Sequence, residues 1–509
     1  MDLSNWLNDL RRAAAFAGIC CTLVHVPAWA QDGGSVSPAP NSPAPNSPTT
    51  NSQPANSQTI DSQSGNSPPT NSRPVPATPA ADNAQTAEAW WSFHVQATTI
   101  TQAHDAFKAP YSGSESLQRK EPWRTTETMT VFLGARVWPG GEIYIDPEAA
   151  GGRGLSGAVG LAGFPNGEAT RVGSSQLTPY LARLFFRQTF ALSDVTDPVE
   201  GDLNQIAERR ARSNVVLTVG KLAAGDVFDG NQSSHDPRTQ FENWSLMANG
   251  AWDYPADTRG YTYGATVEWN CVDWSARAGA FAEPTEANGA RFDHHLSRAF
   301  GDVVEIERRY KVGEHAGAVR ALVFANSAHM GNYRDALLLE SLAAPSVAAA
   351  SDSTTPPDIT ATRRYRVKYG AGLNFEQSLT AGISIFGRAG WNDGHTETWA
   401  FTEIDNTVSF GVTLSGASWH RRDDVIGVAV VSNGLSASHR EYLAAGGHGF
   451  IVGDGRLDYA REDILETYYS WAAVRGVTVS VDGQFFEHPA YNRDRGPVAL
   501  AGVRMHLQW

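Results

Sequence analysis

The end of the chain alternates strictly. Ala499, Ala501, Val503, Met505, Leu507 and Trp509 fall on one parity, and Gly502, Arg504, His506 and Gln508 on the other. Successive side chains of a β-strand point to opposite faces, so this segment has one apolar face and one charged face. The same texture recurs upstream. Between residues 126 and 138, Met129, Val131, Leu133, Ala135 and Val137 oppose Thr130, Gly134, Arg136 and Trp138. In 261–269, Tyr261, Tyr263, Ala265, Val267 and Trp269 oppose Thr262, Gly264, Thr266 and Glu268. In 364–375, Tyr365, Val367, Tyr369, Ala371, Leu373 and Phe375 oppose Arg364, Arg366 and Lys368 with small or amide residues. Residues 383–391 set Ile383, Ile385, Ala389 and Trp391 against Ser384 and Arg388, and two further strands flank Arg475-Gly476.

Two features decide what these strands face. Tyr and Trp stand at the ends of the apolar faces, as girdles at two membrane interfaces require. Arg and Lys stand mid-strand on the polar faces, where a packed core would leave them unsolvated but a water-filled lumen would not. The pattern predicts an all-β fold, a transmembrane antiparallel β-barrel of 16 to 18 strands with long extracellular loops. The last strand then descends to the periplasm, so the Arg475-Gly476 turn is periplasmic and residues 487–496 are extracellular. Residues 432–463 resist this count, because HREYLAAGG within them reads as helix.

The N-terminus supplies the address. Arg11 and Arg12 precede an apolar run from Ala13 to Val26 and a small-x-small site at Ala28-Trp29-Ala30, the plan of an export signal over residues 1–30. Residues 31–88 carry an Asn-Ser array with a five-residue period, rich in Pro, which cannot bury a core and reads as a disordered linker. From about residue 89 to 509 the texture is uniform and predicts one barrel domain, large because a barrel grows around a lumen. Two of the three cysteines lie in the signal, which leaves Cys271 and no disulfide framework. A formal charge of -14 argues against a nucleic-acid partner. Beyond the signal no stretch approaches a membrane helix, which leaves strands as the only means of crossing.

Candidate chemistry is sparse. Gly152-Arg153-Gly154-Leu155-Ser156-Gly157 fits a dinucleotide fingerprint but lacks the surrounding βαβ unit, and Ser156 is not in a nucleophile elbow. Histidines lack metal-ligand spacing, so neither a metal nor a cofactor is expected. Asp226, Asp229, Asn231 and Asp236 lack EF-hand spacing and read as a solvated loop. The loop from about 146 to 179 is long enough to fold into a barrel and narrow it. The polar faces say more: Arg136, Arg183, Arg187, Arg364, Arg366, Lys368 and Arg388 are expected in the lumen, with Glu142 and Glu268 as counter-charges. Such a set can hydrogen-bond a hydroxyl-rich solute, while Trp138 and Phe132 on the same parity offer it an apolar face.

Several phrases carry a resemblance: FLGARVWPGGEIYIDPE (132–148), GLAGFPNGEA (160–169), the stretch from His235 to Ala265, WNDGHTETWAFTEID (391–405), and PAYNRDRGPVALAGVRMHLQW (489–509). In order and in number they resemble the carbohydrate-selective porin family, the OprB type. The resemblance implies a 16-stranded outer-membrane barrel passing monosaccharides such as glucose by facilitated diffusion, without enzyme activity. It also implies an arginine-containing eyelet, carried here to Arg136, Glu142, Arg183 and Arg187. The expected lumen set adds Trp138, Glu268, Arg366, Lys368 and Arg388. Trp509 is the expected insertion signal read by the barrel-assembly machinery, with outer-membrane lipid around the wall and self-association left open. The competing readings are a non-selective pore, a surface sugar-binding β-protein and a barrel hydrolase.

Overall fold

Strands in this protein are turned inside out relative to a water-soluble sheet. In the computed structural model, which describes residues 88–169, 176–347 and 356–509, Glu142, Asp146 and Glu148 are buried while Ile143 and Ile145, between them, are exposed. A strand that hides its acids and shows its isoleucines must have lipid outside and polar groups inside. The expected signal and nearly all of the linker lie outside the described residues.

The strands follow in order: β1 (Trp91–His104), β2 (Glu121–Trp138), β3 (Gly141–Gly152), β4 (Thr178–Ala191), β5 (Thr196–Val199) and β6 (Glu208–Ala211). Next come β7 (Asn214–Leu222), β8 (Thr262–Asn270), β9 (Trp274–Ala282), β10 (Phe300–Val312), β11 (His315–Met330) and β12 (Arg364–Ser378). The set ends with β13 (Ile383–Asn392), β14 (Asn406–Ser415), β15 (Val425–Gly434), β16 (Glu462–Val474), β17 (Val477–Glu487) and β18 (Val498–Gln508). Sixteen of them form one closed antiparallel barrel, sealed where β1 pairs with β18, and β5 with β6 forms a separate two-stranded sheet. The segment that resisted the count holds no extra strand: it is a helix, Ala437–Ala444, whose N-cap Ser436 accepts from the His439 amide.

Connections at the end holding the C-terminus are short, apart from residues 192–213; those at the other end are long. Barrels keep short turns on the periplasmic side, which orients the molecule as expected from its last strand. Arg475-Gly476 is such a turn, with Gly476 at φ +76°, a left-handed conformation that costs glycine little. Trp269, Trp471 and Trp509 stand exposed near the periplasmic end, and Tyr263, Tyr369 and Trp391 near the other. Trp509 meets Phe93 of β1 edge-on at 5.9 Å, and Tyr369 meets Trp391 at 6.0 Å.

One expectation fails through a local irregularity. Parity with Arg136 predicts Trp138 in the lumen, but the β2–β3 register shifts between Arg136 and Trp138. That bulge turns Trp138 outward, where its ring lies 5.4 Å from Phe186 and its Nε1 donates to Gln188 at 2.7 Å. Trp138 therefore belongs to the girdle.

Candidate functional site: a lumen closed by inserted loops

Two long loops fold into the barrel. Residues 153–169, between β3 and β4, bury Leu155, Leu161 and Phe164, and the backbone amides of Ala162 and Gly163 donate to Glu462 on β16 at 3.1 and 2.7 Å. The expected narrowing loop thus does enter the lumen, although residues 146–152 remain in strand β3. A second loop, residues 223–261 between β7 and β8, crosses to the far wall. There Arg388 of β13 grips it, donating to the carbonyls of Leu246 at 2.8 Å and Ser234 at 2.7 Å and pairing with Asp229 at 3.0 Å. On β18, Arg504 donates to the carbonyls of Pro237 at 2.8 Å and Gln240 at 2.6 Å. Glu466 of β16 accepts from the amides of Glu242 and Asn243 at 2.6 and 3.1 Å.

The acidic cluster of this second loop is an anchor set, and the expectation of a solvated loop is corrected. Asp229 is buried against Arg388, and Asp226 takes Arg183 of β4 in a two-pronged bond, 2.7 Å on each side. Burial alone would raise the Asp226 carboxyl; the Arg183 guanidinium outweighs it and holds the group below the usual carboxylate range. Burial, reinforced by the Arg388 charge, pushes the His235 imidazole down and favours its neutral form.

The loops meet at Arg238. Its Nη1 donates to Gln96 of β1 at 2.6 Å, its Nη2 reaches Glu148 of β3 at 3.2 Å, and its Nε reaches Glu168 of the first loop at 2.9 Å. Burial raises the Glu168 carboxyl, and Arg238 only partly offsets this. Glu148 also accepts from the hydroxyls of Tyr180 and Tyr261, Arg183 lies 5.1 Å over the Tyr261 ring, and Arg259 lies 4.0 Å over Tyr180. Guanidinium groups, carboxylates and ring faces thus converge where the barrel is narrowed from the β3–β4 side, the combination that holds hydroxyls and C–H faces of a small polar solute.

Arg364, the first residue of β12, stands largely exposed 3.5 Å from Asp335, and the other charged residues expected in the lumen divide into three groups. Arg136, Glu142 and Arg187 lie together on β2–β4 toward the periplasm: Arg136 bonds Glu208 at 2.9 Å and Glu142 at 3.4 Å, and Arg187 donates to the Asn204 carbonyl at 2.9 Å. Arg183 stands above them on the same wall. Arg366, Lys368 and Arg388 are on the facing wall and serve mainly as pins, Arg366 on Asp335 at 2.6 Å and Lys368 near Asp253 at 3.7 Å. Glu268 faces the lumen too, against Arg277 at 3.3 Å. Arg277 continues to Glu305 at 2.7 Å and Glu307 at 3.2 Å, and Arg320 links Glu307 at 2.9 Å to Glu376 at 3.0 Å. Sequence reasoning passed over this ladder and Arg238. The signals were present: Glu305, Glu307 and Arg309 share a parity, and Arg238 sits inside the phrase running from His235 to Ala265.

A family model described as carbohydrate-selective porin, OprB family, matches residues 130–509. The chain belongs to the OprB family. It is accordingly an outer-membrane β-barrel of the sugar-porin type. Among solved structures, the high-pH form of Pseudomonas putida OprB is 15% identical, with 82% of this chain and 94% of that chain covered and a TM-score of 0.61. The outer membrane channel DcaP of Acinetobacter baumannii is 8% identical, with 82% and 97% covered and a TM-score of 0.47. No curated protein matches the sequence. The likeness to Pseudomonas putida OprB supports the fold, while family membership rests on the OprB model itself.

Proposed function

We propose that this porin passes monosaccharides such as glucose down their gradient, binding them weakly and releasing them without turnover, with Arg183, Arg238 and Tyr180 as the main contacts and the buried Tyr261 backing Arg183 and Glu148. The observation that carries this reading is the pairing of lumen charges. Arg183 is matched by Asp226, Arg238 by Glu148 and Glu168, Arg277 by Glu305, and Arg388 by Asp229. Paired charges leave the wall rich in donors and acceptors while their fields largely cancel, which suits an uncharged polyol better than an ion. Passage needs contacts weak enough to release, and partly exposed side chains already engaged with one another provide them. Arg136, Glu142 and Arg187 contribute on the periplasmic side of the same wall. Trp509, outward at the seam, suits recognition by the assembly machinery.

Single-channel recording in planar bilayers tests the reading. Glucose added at millimolar levels should reduce the open-channel current in a saturable way, and a charged solute of similar size should do so less. An unchanged current with every sugar tried would make this a general pore.

A further inference from the structure

At the periplasmic end the connections run two to nine residues, except the one between β4 and β7, residues 192–213, which contains the β5–β6 sheet. Its tip is a tight turn: Asp202 and Gln205 exchange both backbone hydrogen bonds at 3.0 Å, the Leu203 amide donates to the Asp202 side chain at 2.8 Å, and Asn204 takes the left-handed φ of +51°. Asparagine tolerates that conformation better than most residues. The tip does not hang in the periplasm. Asn204 Nδ2 donates to Asp146 at 2.8 Å, the Asn204 carbonyl is held by Arg187, and Ile206 is fully buried against Tyr144 and Phe185.

Asp146 stands five residues up β3 from Gly141 at the periplasmic turn, about 17 Å of strand at roughly 3.4 Å per residue. Barrel strands tilt by roughly 35–45°, so the turn climbs about 13 Å along the barrel axis, into a lumen whose apolar belt is ~25 Å tall. At its summit it meets the machinery of the other side, because Arg183 lies 3.6 Å from Asp146 while holding Asp226 of the extracellular loop. Below, Glu208 on β6 binds Arg136 at 2.9 Å and Arg210 at 2.7 Å, and these side chains stay partly open to water. Asp146 Oδ1, Asn204 Oδ1 and Arg136 Nε have no hydrogen-bond partner among the described residues, although each is buried. Buried polar atoms left unmatched at the finger's contacts call for ordered water between the finger and the wall.

We infer that residues 200–208 form an inward finger, the periplasmic jaw of the constriction, which sets pore size and sugar contact together with the extracellular loops. This rests on the sugar-porin reading and adds that selectivity is set from both sides of the membrane. The finger is braced at its root as well: the Ala89 amide donates to the Ala207 carbonyl at 3.0 Å, so the chain arriving from the linker packs against it.

The test compares the full chain with a variant in which residues 201–206 are replaced by a Gly-Gly turn, each checked for heat-modifiable migration to show a folded barrel. The shortened finger should raise single-channel conductance by at least about twofold and raise the half-blocking glucose concentration by at least about fivefold. If the unaltered protein is blocked by glucose and the variant matches it in both readings, the finger proposal is overturned while the sugar reading stands. If the unaltered protein shows no block, the sugar reading fails first, and a rise in conductance alone still supports the jaw. A second variant does not depend on deletion. Gln205→Cys in a Cys271→Ser background should lose current when a bulky charged thiol reagent is added from the periplasmic side, and no loss there overturns the proposal.

Discussion

Arg238 shows how much one side chain can hold. It joins a barrel strand on each side of the β1–β3 sector to the first inserted loop, from within the second. Removing hydrogen bonds to charged partners costs about 1.5–3 kcal/mol when the site is largely shielded. Arg238→Ala should therefore loosen both loops, seen as faster protease cleavage within residues 223–261 of the folded barrel and as noisier channels with weaker glucose block. Asp226 makes the companion case in pH. Its carboxyl lies below the usual range, so its contribution is complete above the ordinary aspartate value of about 3.9 and is lost as pH falls below it, through the depressed folded-state value. Channel noise should accordingly stay level from neutral pH to about pH 4.5 as far as this pair is concerned, whereas Asp226→Asn should be noisy throughout. An Asp226→Asn trace as quiet as the parent would remove Asp226 from the anchor set.

Strands were legible in the sequence because alternation is a local signal, and the segments read as two-faced lie in β2, β8, β12, β13, β16, β17 and β18. What escaped was non-local or irregular. Arg388 lies on the polar parity of β13, but its partner Asp229 lies 159 residues away, and nothing local joins them. Trp138 departs from the parity of its strand because a single bulge reverses it, and β10 alternates charged residues, Glu305, Glu307 and Arg309, with its apolar ones, a pattern whose partners lie on other strands. The two faces of a strand also predict opposite tolerance. Val430, exposed in the middle of β15, should cost ~2–4 kcal/mol when replaced by Arg, measured by urea unfolding in lipid vesicles. Arg388→Ala should leave the barrel wall intact and instead release the second loop, raising conductance together with protease sensitivity.

For the whole molecule, the outward aromatic at the C-terminus is expected to govern assembly. Deleting Trp509 should reduce the outer-membrane fraction severalfold in cell fractionation, with the remainder degraded, while point changes in the lumen leave that fraction unchanged. The seam beside it has a further consequence, one of timing. β1 is the first barrel strand made, and one of its two neighbours, β18, is the last. Until the final residues emerge, β1 keeps an open edge, and open edges invite pairing with other chains. A chain cut short before β18 lacks the strand that covers that edge in this barrel. The ring geometry therefore makes closure depend on both ends of the barrel at once: β1 loses its exposed edge only when β18 docks against it.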